Sequence, residues 1–500
     1  MSAKSKILLI FPTPYFDAQP KPFNTPVGLL YIGTVLKEIG YDVKLIDCVV
    51  EENYESKIYD EAKEALCIGI YTMSCHICRL VPILDNIKKL YPNVRIILGG
   101  PHPTLFPKQT AEDRAVDFVV KDEGEDTMLE LVRALENNKT DFKDIRSITY
   151  KSNGKIIDNS PRPSVDLDKL PFIDWGLCNE KVRQGFKKGK LIRVLTNKGC
   201  TFKCTFCIHA STMNRKMRYR SPEKVLDEIE RNMEVYDNVK RMGLRDELAF
   251  INIKHSRQIC EGIINKKLNF KWIALTKASF FREGHLDDKF LSLATKAGLE
   301  KLGIGAESGS QKILDFIKKG ITVQHIINSV KKMKEFGIVP MLSFMSGFPG
   351  ETHEDLKATM RLMKILHDIN PEYEISGPNL LRPYPGGEMY DFLVKEYGYS
   401  NPSTFREWAK RDYASEARLS WVKDIDLYKY IGVSLRYARQ RSYENIVREC
   451  GFNLPRLVLQ IMLKNIWTWR FEHSNYSYPL DYKLYATYFR STHGYNPDQN

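Results

Sequence analysis

The sequence predicts an α/β protein in three parts: a doubly wound parallel sheet, a partial (β/α)6 barrel, and a mainly α-helical carboxyl-terminal region. Three observations carry this reading. Apolar runs alternate with amphipathic segments from Lys6 to Leu135, a second series of such units opens at Leu191, and the strand pattern stops beyond Tyr397. The length of 500 residues and a hydrophobic fraction of 43% fit several cores, since one core rarely serves more than about 250–300 residues. The expected boundaries are 1–143 for the sheet domain, 144–190 for a connector, 191–397 for the barrel and 398–500 for the helical region.

Taken in order, KILLIF reads as a buried strand, Gly28 to Gly40 as a helix and YDVKLIDC as a second strand. ALCIGIY, a helix near Val81 to Leu90, VRIILGG, DFVVKDEGEDT and a helix at Met128 to Leu135 continue the pattern. Apolar strand runs alternating with helices argue for a parallel, doubly wound sheet. Ligands of such sheets bind at the carboxyl ends of the strands. Here those ends carry PTPYFD, TMSCH, GGPHPT and EGED. SITYKSNGKIIDN then reads as a hairpin turning at Asn153-Gly154, followed by a Pro-rich connector, PRPSVDLDKLPFIDW. LIRVLTN opens the second series. Its strands end near Leu244 and lie at Ile273 to Leu275, Lys301 to Ile304, Pro340 to Phe344 and Ile375 to Leu381. One of its helices is capped by Ser221 with Pro222 in the first turn.

Composition excludes wholesale disorder and a fibrous fold. Lys+Arg 75 against Asp+Glu 62 gives a net charge of +13, which fits an anionic substrate, a membrane surface or nucleic acid without choosing among them. No stretch reaches the ~18–20 apolar residues of a membrane span. Leu454 to Trp469 comes nearest and is broken by Arg456, Gln460 and Lys464. MSAKSKILLIFPTP runs straight into a strand pattern and does not read as a signal peptide, so a cytoplasmic, reducing compartment is expected. The ten cysteines are then thiols, metal ligands or core residues.

The decisive segment is TNKGCTFKCTFCIHA. Cys200, Cys204 and Cys207 stand in C-x3-C-x2-C spacing just after the first strand of the second series. A loop of this length can place three thiolates on three corners of one iron–sulfur cluster and leave one iron open. Structural zinc would need a fourth ligand, and His209, the local candidate, sits too close to Cys207 for an ordinary ligand pair. Cys48, Cys67, Cys178, Cys260 and Cys450 are isolated and read as core. Cys75 and Cys78 form C-x2-C without a second pair, which favours a structural role.

The cysteine motif resembles that of the radical S-adenosylmethionine enzymes. The resemblance implies a 4Fe–4S cluster on Cys200, Cys204 and Cys207, with S-adenosylmethionine chelated at the open iron and cleaved to a 5′-deoxyadenosyl radical. Phe206 matches the family's aromatic residue before the third cysteine, near the adenine. GLRDELAF resembles the second-strand segment, with Asp246 and Glu247 at its acidic pair. LGIGAESGSQKIL looks like the fourth-strand motif, in which Gly305 stands beside Glu307, the match to the ribose-binding carboxylate. FMSGFPGET, with Gly347, and RPYPGGEMY match the fifth-strand and post-sixth-strand signatures, so the resemblance spans about Leu191 to Tyr397.

The amino-terminal sheet resembles the cobalamin-binding domain of one large subfamily, at Gly28, Gly99, Gly100, His102, Glu123, Gly124 and Glu125. The D-x-H-x-x-G signature of a histidine lower ligand is absent. The expected lower face therefore lacks a histidine ligand from that motif, with His102 beside the corrin rather than on cobalt. Methylthiotransferases also carry a sheet domain before the barrel, but their cysteine spacing and RNA-binding tail are not evident here.

The resemblance implies methylation of an unactivated carbon or a phosphinate phosphorus on a small-molecule or lipid substrate. Ring formation or oxidation of the anaerobic porphyrin-ester cyclase type is the first alternative. A non-enzymatic corrinoid or iron–sulfur carrier is a different class, and it would have no need of the S-adenosylmethionine motifs. An electron donor such as flavodoxin or ferredoxin is expected, and nucleic acid is not. The aromatic, basic run LVLQIMLKNIWTW could lie on a membrane surface as a peripheral contact, line a hydrophobic channel or pack against the barrel.

Overall fold

The computed structural model describes residues 5–13, 25–189, 191–208, 216–236, 239–411, 419–435, 438, 443–450, 453–473, 475–476 and 480–493. Residues 14–17 of the PTPYFD strand end, and His209, lie outside them. Contacts divide the chain into two compact units. One comprises Met1–Thr201, Ile208–Met242 and Tyr384–Tyr413; the other comprises Phe202–Cys207, Gly243–Pro383 and Ala414–Asn500.

The first unit is built on a seven-stranded sheet. Strands β1 (Lys6–Phe11), β2 (Asp42–Asp47), β3 (Ala65–Tyr71), β4 (Arg95–Gly99), β5 (Phe118–Val120), β6 (Ile148–Ser152) and β7 (Lys155–Asp158) lie in the order β2-β1-β3-β4-β5-β6-β7. The first five are parallel. Strand β1 shows why its sequence is apolar beyond Lys6. Leu8 and Ile10 face a core with Ile68, Ile70 and Leu80, while Ile7, Leu9 and Phe11 face another with Leu36, Met128 and Leu131. The hairpin β6–β7 turns at Asn153 and Gly154, both at positive φ, as an Asn-Gly turn requires. It extends this sheet antiparallel from β5 instead of standing apart as a connector. The Pro-rich stretch is anchored by Trp175, which is fully buried against Phe186.

The first unit also takes in chain from beyond the barrel. Arg406 pairs with Asp85 at 2.8 Å and with Asp113 at 2.6 Å. Trp408 is fully buried, and its indole Nε1–H donates to Gln109 at 2.8 Å. Strand β8 (Ile192–Val194) and the ribbon of β9 (Asn197–Lys198) and β10 (Arg218–Tyr219) belong here too. Beside them the fully buried Arg220 pairs with Glu228 on the helix Pro222–Val235, whose Ser221 cap and first-turn proline are as expected.

The second unit continues the barrel series. Strand β11 (Arg241–Leu244) begins in the first unit and ends in the second, where β12 (Lys271–Thr276), β13 (Leu299–Glu307), β14 (Val339–Ser346) and β15 (Glu374–Leu380) lie side by side in sequence order and run parallel. The helices Ile253–Asn265, Asp288–Lys296, Val323–Glu335 and His353–Ile369 connect them. Among the described residues of this unit, helices then follow: Ile425–Leu435, Tyr443–Cys450, Leu454–Glu472 and Leu480–His493. On Leu454–Glu472, Leu463, Trp467 and Phe471 pack inward, whereas Leu454, Val458, Met462, Ile466 and Trp469 form an exposed apolar stripe. No helix among the described residues is long and apolar enough to cross a membrane.

Candidate cofactor sites

In the first unit, Cys200 follows a turn that only glycine fits: Gly199 has φ +108°, and a Cβ there would lie 2.2 Å from the Lys216 carbonyl oxygen. In the second unit, Cys204 and Cys207 sit on Phe202–Cys207, tied by Cys207 N donating to Cys204 O at 3.1 Å and Thr205 N to Ile317 O at 3.0 Å. All three thiols are partly exposed. Among the described residues no three His, Cys, Asp or Glu side chains gather as ligands of a single metal ion. A four-iron cluster asks for something different, because each thiolate takes its own iron and the ligands stand on separate corners.

In the second unit, β13 ends on Glu307, a non-glycine residue at φ +60° and only 5% exposed, where the register against β14 shifts. A left-handed residue costs of order 1–3 kcal/mol and persists only where its surroundings fix it. The side chain is met by Lys319, whose Nζ lies 2.6 Å from Glu307 Oε1. Gly305 makes room for the pair, since a Cβ there would stand 2.2 Å from Glu307 Oε1 and 2.6 Å from Lys319 Nζ. Burial disfavours the Lys319 ammonium, but Glu307, with Cys204 and Cys207, holds its pKa above the ordinary lysine value. The Phe206 ring lies 5.7 Å from Lys319 Nζ and 6.3 Å from the Phe348 ring. Lys277, nearly buried at the end of β12, stands 3.4 Å over the ring of Phe202.

The loop after β14 is held from the turn that precedes the helix Ile425–Leu435. Gly347 (φ +76°) donates its N–H to Glu351, and its carbonyl accepts from Trp421 Nε1 at 2.8 Å. Burial lifts the Glu351 carboxyl to about 7. Asp246 is buried just beyond β11 with Glu247 partly exposed beside it.

The remaining candidates lie at the carboxyl ends of the first sheet. Gly28 is exposed in the first turn of Val27–Glu38, with open space where a Cβ would stand. Gly99 closes β4, and Gly100 (φ +101°) approaches the Thr72 backbone so closely that a Cβ would meet it at 3.1 Å. His102 is 1% exposed, shares a 3.0 Å hydrogen bond with Ser74 Oγ through Nδ1, and packs against Phe106, Phe405 and Trp408. Burial pushes its imidazole down to about 3, so it is neutral. Gly124 caps the helix Glu125–Glu136 from the front, and the buried Glu125 is pushed up by desolvation. Glu123 is bound by Arg218, Lys198 and the Val165 amide. Cys75 is buried, and Cys78 reaches its carbonyl oxygen at 3.9 Å across one helical turn.

Sequence reasoning missed Lys319, Lys277, Glu351 and Trp421. A lysine followed by Gly320 within an apolar stretch was the available sign for Lys319.

The fold and the cysteine loop define an α/β protein in which a parallel-sheet domain precedes a strand–helix series opened by three closely spaced cysteines. The comparisons agree with this and go further. Residues 194–363 match the model of the radical SAM superfamily, and residues 18–132 match that of the B12 binding domain. An uncharacterised methyltransferase of Pyrococcus horikoshii is 31% identical over 398 residues, covering 78% of this chain and 83% of that protein. The chain belongs to the radical SAM superfamily and carries a B12 binding domain ahead of its barrel.

More distant similarities include the anaerobic magnesium-protoporphyrin IX monomethyl ester cyclase of Rubrivivax gelatinosus, 28% identical over 74% of this chain and 66% of that one. Another is the cytidylyl-2-hydroxyethylphosphonate methyltransferase of Streptomyces wedmorensis, 24% identical over 79% and 83%. Among solved structures, the cobalamin-dependent S-adenosylmethionine radical enzyme OxsB with aqua-cobalamin bound has the same fold. Its TM-score is 0.70 at 16% identity, over 97% of this chain and 75% of that one. The radical S-adenosylmethionine methyltransferase TsrM of Kitasatospora setae, with cobalamin and a 4Fe–4S cluster bound, gives 0.64 at 18% identity, over 80% and 76%.

Proposed function

We propose that the protein is a cobalamin-dependent radical methyltransferase acting on an unactivated carbon or a phosphinate phosphorus of a small molecule or lipid. The observation that carries this is the joint presence of the cysteine loop and a B12 binding domain on one chain. The methyltransferase names of the relatives from Pyrococcus and Streptomyces support it. The cyclase from Rubrivivax supports the alternative outcome, at lower identity and coverage than the Pyrococcus relative. When bound, the cluster, S-adenosylmethionine and cobalamin would together supply a hydrogen-abstracting radical and a transferable methyl group.

The chain's own residues would bind and orient. Cys200, Cys204 and Cys207 would each hold one iron. Glu307 would accept hydrogen bonds from the ribose hydroxyls, and Lys319 would meet the carboxylate of S-adenosylmethionine with its ammonium. Phe206 would lie along the adenine, while Gly305 and Gly347 keep backbone close. Asp246 and Glu247 would line the same end of the barrel. In the first unit, Gly28, Gly99, Gly100 and Gly124 would admit the cobalamin, with His102 and Glu125 in the surrounding wall. His102 is committed to Ser74 and three aromatic rings, which supports a corrin lower face without a histidine.

Product analysis separates the two outcomes. After anaerobic reconstitution with reductant, methylation consumes two molecules of S-adenosylmethionine by different routes. Methyl donation leaves S-adenosylhomocysteine, and radical cleavage leaves 5′-deoxyadenosine. Both products are expected in comparable amounts with substrate present, in a corrinoid-containing enzyme. Formation of 5′-deoxyadenosine alone, or failure to retain any corrinoid, would remove the methyltransferase reading. The reductant we propose is flavodoxin or ferredoxin, in the cytoplasm.

The exposed stripe supports peripheral contact with a lipid surface. Leu454, Val458, Met462, Ile466 and Trp469 are 38–66% exposed and fall on one helical face, and Leu480 and Leu484 of the next helix are exposed as well. Co-sedimentation with anionic phosphatidylglycerol vesicles is expected. Changing Met462 and Trp469 to Glu should abolish most of it, and equal sedimentation of that variant would show that the stripe is not the contact.

A further inference from the structure

We infer that Glu123 is a positioning residue for the cluster loop: it locks the ribbon that closes this loop onto the strand-end turn of the first sheet. The inference rests on the cluster reading of Cys200 and assigns Glu123 a different task from contact with the corrin.

The ribbon needs an external fastening. Its strands β9 and β10 are two residues each, and so small a ladder is marginal alone. Its register also sets Arg218 directly opposite Lys198. Like charges at paired ladder positions repel. Between them they bracket residues 199–217, with Cys200 two positions beyond Lys198.

Glu123 supplies the missing charge. Arg218 Nη1 donates to its Oε2 at 3.0 Å while Nη2 donates to its Oε1, a two-pronged contact. Lys198 Nζ lies 2.6 Å from Oε1. The Val165 N–H donates to Oε2 at 2.8 Å, and the Val165 carbonyl accepts from Arg218 Nη1 at 2.6 Å. Glu123, Lys198 and Arg218 side chains are 16%, 20% and 24% exposed, too sheltered for water to screen the charges as at an open surface. Burial pushes the Glu123 carboxyl up, but Arg218 and Lys198 outweigh it and bring it down to about 2, so it stays ionised across the working range. Every strong acceptor site on this carboxylate is thus directed at the ribbon and its neighbour Val165.

The test uses the full-length chain with Glu123→Gln, the milder Glu123→Asp, Lys198→Met and the double variant Glu123→Gln/Lys198→Met. Amide hydrogen exchange is read on cofactor-free protein at Asn197–Cys200 and Lys216–Arg220. Glu123→Gln should speed exchange there about tenfold and leave β1 and β3 unchanged. Lys198→Met in the Gln background should restore much of the protection, because it removes one of the two facing cations. In reconstituted protein, Glu123→Gln should release iron to a chelator several times faster and shift the reduced cluster's electron paramagnetic resonance signal, with cobalamin affinity unchanged. Unaltered ribbon exchange in Glu123→Gln overturns the inference. So does acceleration spread evenly over the first sheet without rescue, or lost cobalamin affinity with a protected ribbon. Faster ribbon exchange with normal iron release and an unshifted signal overturns the link to the cluster. Wild-type protein that takes up no iron strikes the cluster reading instead, because exchange is measured without cofactors.

Discussion

Changing Cys200, Cys204 and Cys207 together to Ala is expected to abolish the brown chromophore, bound iron and sulfide, and all formation of 5′-deoxyadenosine. The physical ground is that cluster iron needs thiolate ligands and each corner needs its own. None of the three is a core residue, since all are partly exposed, so the variant should fold with unchanged far-ultraviolet circular dichroism. Cys78→Ser serves as the control. Its thiol bonds the carbonyl of Cys75 in a helix start, so iron and sulfide content should not change. A triple variant that keeps a full complement of iron and sulfide would end the assignment. Loss of half the iron in Cys78→Ser would reveal a second cluster.

Glu307→Ala and Lys319→Met are each expected to weaken S-adenosylmethionine binding by roughly ten- to a hundredfold, about 1–3 kcal/mol, with cluster content intact. Each substitution removes a ligand contact and also strands its partner. Lys319 without Glu307 is a sheltered ammonium lacking its nearest carboxylate, and Glu307 without Lys319 is a buried carboxylate that has lost its cation. The pH dependence follows from the direction of the Lys319 shift. A cation whose folded pKa is raised keeps its charge below the ordinary value of 10.5 and loses it only as pH rises through the higher folded value. Lys319 itself should therefore add no pH dependence to that affinity between about pH 6 and 9. Equilibrium dialysis against labelled S-adenosylmethionine measures both effects. Unchanged affinity in Glu307→Ala would assign the ribose contact elsewhere.

Much of this molecule was legible because its strands are buried on both faces. KILLIF beyond Lys6 and most of ALCIGIY are buried and apolar, and such runs are hard to mistake. The hairpin was legible from Asn153-Gly154, two residues that accept the required backbone. The cysteine spacing was legible because it is local in sequence. Contacts between distant residues were not. Glu307 was visible in its motif, but its partner Lys319 depends on how the chain turns back after the helix Gln311–Phe316. Glu123 and Arg218 are 95 positions apart, and nothing in EGED announces a cation pair in another segment. The stripe on Leu454–Glu472 was seen as apolar periodicity, which does not say which face finds a partner.

The placement of Arg406 and Trp408 in the first unit bears on how the protein is made. Asp85 leaves the ribosome 321 residues before the arginine that pairs with it, and Gln109 leaves 299 residues before its indole partner. At about 5–20 residues per second, the nascent first sheet waits roughly 15–60 s for its last piece. During that interval Asp113 lacks its guanidinium, and the aromatic seat beside His102 stands open. The whole barrel series is synthesised before the first unit can be completed. A polypeptide released early at the connector would therefore carry an uncovered apolar seat, and is expected to be a client of chaperones rather than a free-standing domain.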